Sequence, residues 1–215
     1  MTNLLILGSG GHGSVISELA LLSSKYNTIK ILDDKYSLDK TLFNDLNLQI
    51  IGKLSELHTD EIKENFQEAI VAIGESSKRI KLIKELISNG YEIPILKHPS
   101  SIISPYSKIA RGTVIMANSV IQAGCEVGLG CIINTGATLD HHSKISDGVH
   151  ICPGVNLGGN VFIGNNSWIG IGSSVIQKVN IGESVMIGAG SVVVDSVRSN
   201  VTVYGNPAKE KLRKR

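Results

Sequence analysis

From Ile103 onward every sixth residue is Ile, Val or Leu, through 109, 115, 121 and so on to Val193, sixteen positions without a miss. With 42% of the chain hydrophobic, independent draws would give such a run about once in a million. Four residues after each aliphatic position stands Ser, Thr, Cys, Ala or Val, from Ser107 to Val197, and Gly, Asn or Asp is frequent between. Each hexad thus predicts one short strand, a small inward residue and a tight corner. A unit this small cannot bury its own apolar face, so the hexads must stack, and the pattern predicts a parallel β-helix of five three-hexad coils. Cys125 and Cys131 fall on the small inward position one hexad apart, which favours packing over a metal pair.

The first 98 residues follow a different grammar. "NLLILGSGGHG" reads as a strand running into a glycine loop, followed by a helix carrying Val15, Ile16, Leu19 and Ala20. "TIKILDD" and "EAIVAIG" read as two further strands, the latter followed by a helix from about Ser76 to Asn89 that Gly90 stops. Strands alternating with helices predict a small parallel α/β unit. The expected boundaries are a Rossmann-like domain over 1–98, a β-helix over 99–203 and a basic tail over 204–215. A net charge of +2 gives no basis for a nucleic acid partner. No apolar run approaches the roughly 18 residues of a membrane span, and the N-terminus lacks a signal peptide's basic flank, so the reading is cytoplasmic. The three cysteines are then expected to be reduced.

Gly8, Gly10 and Gly13 match G-x-G-x-x-G between a strand and a helix, with Asp33 twenty residues past Gly13. This predicts a phosphate at the helix N-terminus and a carboxylate at the second strand's tip binding hydroxyls. It does not predict nicotinamide, since a dehydrogenase needs the second half of the doubly wound sheet; a nucleotide-linked ligand fits better than NAD. His12, inside the loop, suits donation to a phosphate or a sugar.

"LDHHSKISDGVH" holds three of the six histidines. In the hexad register His141 and His142 sit at an outward corner, with Ala123 one coil below His141 and Gly159 one coil above, leaving room for a substrate. Zinc would need about three convergent ligands, whereas adjacent His141 and His142 are expected to diverge around the corner. General base chemistry by His141 fits better, with Asp140 or Asp147 as the carboxylate that orients its second nitrogen.

Taken together, "GSGGHG", "ILDD", "VAIG", "INTGATLDHH", "GVHICPGVNLGGNVFIGNN" and "GNPAK" resemble the nucleotide-sugar N-acetyltransferases of the bacillosamine pathway, within the left-handed β-helix acyltransferases. The resemblance implies a homotrimer with acetyl-CoA as co-substrate between two solenoids, without metal or NAD, and a UDP-4-amino-4,6-dideoxy-N-acetylhexosamine acetylated on its C4 amine by direct transfer. It also implies site residues. His141 would be the base, with Asn134 near the amino sugar. Gly10, Gly11, His12, Asp33, Asp34, Gly74 and Arg79 would hold the nucleotide-sugar, and His150, Gly159, Ile171 and Ala189 the acetyl-CoA. In one bacillosamine acetyltransferase of that family a glutamate directly follows the base, where this chain has His142; either Asp140 takes over or His142 helps otherwise. Sialic acid O-acetylation and GDP-perosamine N-acetylation are related alternatives, and a non-catalytic trimeric scaffold that senses nucleotides is an alternative of another class.

Overall fold

The computed structural model describes residues 2–37, 42–43 and 46–210. The chain divides into two compact units at Leu96/Lys97. Among the described residues no helix is long and apolar enough to cross a membrane.

In the first unit β1 (Thr2–Leu7), β2 (Tyr26–Leu32), β3 (Leu42–Phe43), β4 (Leu48–Gly52) and β5 (Glu68–Val71) form one sheet in the order β3-β4-β2-β1-β5. All pairings are parallel except β3 with β4, so the sheet gains two strands beyond the three that the sequence signals. Leu4 to Leu7 are fully buried in succession rather than alternately. A parallel strand covered on both faces requires such a run.

Helix α1 (Gly11–Leu22) buries Gly13, Ile16, Ser17, Leu19 and Ala20. Val15, expected on that stripe, is exposed, because the i, i+3, i+4, i+7 face runs through 13, 16, 17 and 20. Helix α2 (Asp60–Asn65) starts from Thr59, whose hydroxyl accepts the N–H of Ile62. Helix α3 (Ser76–Ser88) is capped by Glu75, whose carboxylate accepts the N–H groups of Ser77 and Lys78. It buries Arg79, Ile83 and Leu86.

The second unit is a left-handed parallel β-helix. Each hexad contributes a two-residue strand, and pairing steps by eighteen residues, as in Val120 with Thr138, Glu126 with Lys144 and Ile132 with His150. The prism therefore has three faces, which carry Thr138–Leu139, Lys144–Ile145 and His150–Ile151 in turn. The last coil is shorter: Ile187 pairs with Val203, sixteen residues on. Lys209–Glu210 then turns back antiparallel on Val203–Tyr204; 211–215 lie outside the described residues.

Small inward residues solve a polar problem. Several buried hydroxyls bond backbone of the next coil: Ser143 Oγ donates to the Gly158 carbonyl and accepts the Val161 N–H, and Thr113 and Ser167 repeat the arrangement, whereas Ser119 donates to the Met116 carbonyl of its own coil. All three cysteines are buried. Cys125 Sγ donates to the Asp140 carbonyl at 3.1 Å and Cys131 Sγ to that of Ser146 at 3.0 Å.

Candidate active site

The first unit opens a cavity of about 500 Å³ at the N-terminus of α1, lined by Gly8, Gly10, Gly11, His12, Asp33, Asp34, Lys35, Leu54, Ala72, Ile73, Gly74 and Lys78. The first turn of a helix leaves its N–H groups without intrahelical partners, which makes this end a place for an anion. Asp33 does not present a free carboxylate there. Its Oδ2 accepts the N–H and hydroxyl of Ser9 at 2.6 and 2.8 Å, and its Oδ1 accepts the N–H of Lys35 at 2.8 Å. Burial pushes this carboxyl's pKa up, but the bonds from Lys35 and Ser9 outweigh it and hold the group below the ordinary range. The structure thus shows Asp33 fastening the glycine loop to the second strand.

Arg79 is likewise not on the cavity wall. Its side chain is 1% exposed, and Nη1 donates to the carbonyls of Ile73 and Gly74 at 2.9 and 2.7 Å. It holds the segment on which Gly74 borders the cavity. Burial first, and the Arg79 charge second, pull the pKa of His12 down to about 4. Its Nε2 is buried without a hydrogen-bond partner. At neutral pH the buried His12 imidazole is therefore uncharged. Lys35, Lys78 and Leu54 were not singled out in the sequence, because no motif marks them; the sheet topology brings them to the loop.

In the β-helix, His141 and His142 share one corner. The N–H of His142 donates to the Ala123 carbonyl and that of Asn160 to the His141 carbonyl, as the eighteen-residue step requires. The space above His141 is filled by its own ring: a Cβ on Gly159 would stand 2.5 Å from Cε1. The two imidazoles do not diverge. His142 has φ +58°, a left-handed corner that turns its side chain alongside its neighbour's, and the two Nδ1 atoms lie 3.1 Å apart. Asp140 Oδ1 accepts the backbone N–H of His141 at 2.8 Å, and its Oδ2 stands 4.0 Å from His141 Nε2. The His141 side chain is 52% exposed. Asp147 is not a partner: its Oδ1 accepts the Leu129 N–H at another corner. Among the described residues no three His, Cys, Asp or Glu side chains are grouped to hold a metal ion.

A second group forms elsewhere on the prism. Thr135 N–H donates to Asn134 Oδ1, which leaves Asn134 Nδ2 facing His150 Nε2 at 3.1 Å. The buried His150 ring packs edge-on against Trp168, with centroids 4.1 Å apart. Trp168 was missed in the sequence, although it stands one eighteen-residue step past His150. Ile171 is 60% exposed at the edge beyond this face, and its carbonyl accepts the Gly190 N–H, which places Ala189 one coil above it. Within one chain the structure thus gathers Asp140, His141, His142 and Gly159 at one edge. Asn134, His150, Ile171 and Ala189 lie on another face and its edge.

Residues 3–86 match the family model of the PglD N-terminal domain, and residues 160–195 that of the bacterial transferase hexapeptide (six repeats). The acetyltransferase domain of PglB from Neisseria gonorrhoeae FA1090 is 37% identical with a TM-score of 0.92, the match covering 98% of this chain and 100% of that one. This chain belongs to the hexapeptide-repeat acetyltransferases. The same PglB domain in complex with acetyl coenzyme A superimposes with a TM-score of 0.88, covering 98% of this hexapeptide acetyltransferase and 99% of the domain. Perosamine N-acetyltransferase from Caulobacter crescentus, as a histidine-to-asparagine mutant in complex with CoA and GDP-perosamine, is 30% identical with a TM-score of 0.92, covering 98% and 97%. Among curated proteins, UDP-N-acetylbacillosamine N-acetyltransferase of Bacillus subtilis (strain 168) is 37% identical over 122 residues, 54% of this chain. That match spans about half of the curated relative, 52% of its length.

Proposed function

We propose that this chain transfers the acetyl group of acetyl-CoA to the C4 amine of a UDP-4-amino-4,6-dideoxy-N-acetylhexosamine, with His141 as general base. The observation that carries the reading is the geometry of His141: one ring nitrogen is engaged by His142, and the half-exposed ring is seated over the bare Cα of Gly159. A histidine held in this way can take up and return a proton, work that typically contributes about 10² to 10⁴ in rate.

His141 Nε2 takes the proton that the amine sheds as its nitrogen bonds to the acetyl carbon. The carbon–sulfur bond then breaks, and His141 returns the proton to the departing thiolate. The neighbouring Asp140 carboxylate favours the transient imidazolium. The backbone N–H of Gly159 is assigned to the developing oxyanion. No acyl-enzyme is needed, and the buried cysteines supply no nucleophile.

Exposed Ile171 with Ala189 one coil above forms an apolar edge that suits the pantetheine arm of CoA, with His150 at the acetyl side. Because these residues and His141 occupy different edges of one prism, the proposed site is completed by a second copy, in a homotrimer. The cavity at Gly10, Gly11 and His12 receives the nucleotide, with Asp34 and Gly74 at its rim. The relatives named for UDP-N-acetylbacillosamine and for GDP-perosamine support a nucleotide-linked amino sugar as the acceptor class.

A panel of UDP-, GDP- and CMP-linked amino sugars, incubated with acetyl-CoA and read by mass and by CoA release, tests the proposal. Acetylation of the UDP-linked 4-amine above the others is expected. Turnover confined to a sugar hydroxyl, or to the GDP series, would replace the assignment.

A further inference from the structure

The left-handed position that closes each corner of the β-helix recurs every six residues from Gly112 to Gly190. Eight of these fourteen positions are glycine and three are asparagine; the other three are His142, Lys178 and Ser184. An L side chain carries a steric cost there that glycine avoids. At His142 the corner carries an imidazole, and the surroundings accommodate it. Gly124, one coil below, has no side chain, and a Cβ there would stand 2.7 Å from Cδ2 of His142.

What the imidazole does at that corner is visible in its contacts. Its Nδ1 lies 3.1 Å from Nδ1 of His141, with the rings edge to face at 78°. Asp140 does not compete for this nitrogen. One of its oxygens is taken by the backbone N–H of His141, and the other stands beside Nε2, on the opposite side of the ring. A nitrogen pair at this distance shares one proton, so the two rings are restricted to complementary tautomers.

We infer that His142 is a positioning residue, whose Nδ1 accepts the proton on His141 Nδ1 and so fixes His141 in the tautomer with its lone pair on Nε2. The inference rests on reading His141 as the base. It assigns to the His142 imidazole the task of orienting the base. It also explains how one residue can be costly for the corner and useful for the site. The base keeps a donor bond through Nδ1 while Nε2 faces the substrate side, where Asp140 stands ready for the charge that proton uptake creates.

Two variants and one spectroscopic readout test it. His142→Gly suits the left-handed corner and leaves the fold intact while removing the acceptor. It should lower kcat by about 10- to 100-fold, the size of effect seen when a metal-bound histidine loses the group that orients it, with KM for both substrates within about twofold. His142→Glu restores an acceptor and should recover most of that loss. Long-range proton–nitrogen spectra of the substrate-free protein should show the His141 proton on Nδ1 in the wild type and not in His142→Gly. Wild-type kcat in His142→Gly, equal impairment of His142→Glu, or a His141 proton on Nε2 in the wild type would each overturn the assignment. Failure of the base reading shows separately, as retained turnover in His141→Ala whatever the His142 variants do.

Discussion

Gly159 and His141 are in contact through the coil step, the imidazole lying where a Gly159 side chain would be, 2.5 Å from Cε1 and 2.6 Å from Nε2. A methyl group at 159 must therefore move the ring. Because that ring is half exposed it can swing outward, so Gly159→Ala should lower stability by at most about 1 kcal/mol, the mild end of overpacking. A displacement of about 1 Å at a reacting group can cost on the order of a hundredfold, and kcat should fall by that order. Thermal unfolding and steady-state kinetics on the variant check both halves; unchanged kcat would separate this contact from catalysis.

His12 gives the fold an acid-sensitive point. Burial, with the Arg79 charge second, holds its pKa near 4 in the folded chain, against 6.5 as its ordinary value. Between those pH values the unfolded chain binds a proton that the folded chain does not. Stability is thus fully present above about pH 6.5 and falls as the pH drops toward 4, by up to about 3 kcal/mol from this group. His12→Gln should remove that part of the slope. Denaturant titrations of both proteins at pH 7.5, 5.5 and 4.5 measure the difference, and parallel slopes would contradict the assignment.

The cysteines should be chemically silent. Burial pushes the Cys152 thiol up to about 12, and burial likewise raises that of Cys125. Neither forms appreciable thiolate at neutral pH, and the thiolate is the reactive form. Iodoacetamide at pH 7.5 should label none of the three in the folded protein and all of them after unfolding. Labelling of folded Cys125 or Cys152 would reopen a covalent route.

How much of this was legible in the sequence depended on whether a fixed period governed the residue. The hexad register placed Gly159 above His141 and Ala123 below it, because an eighteen-residue step leaves no freedom. It could not show that His142 turns back on His141, since that depends on a left-handed corner torsion. Arg79 read as a pocket residue, although it lies four and seven residues before Ile83 and Leu86, on the stripe that α3 buries. That spacing was the available signal. Strand β4 carries little signal in the sequence because Leu48, Ile50 and Ile51 form a short apolar run whose partner, β2, is set by tertiary pairing. Asp33 matched the position of a hydroxyl-binding carboxylate, yet the serine inside the loop, Ser9, takes its Oδ2.

In the proposed reaction His141 carries the proton in acetyl transfer. The most direct measurement is the turnover of His141→Ala with acetyl-CoA and the UDP-linked 4-amino sugar, alongside circular dichroism and oligomer size. With the fold and assembly unchanged, kcat should drop by about 10² to 10⁴. Turnover within a few-fold of the wild type would contradict the claim.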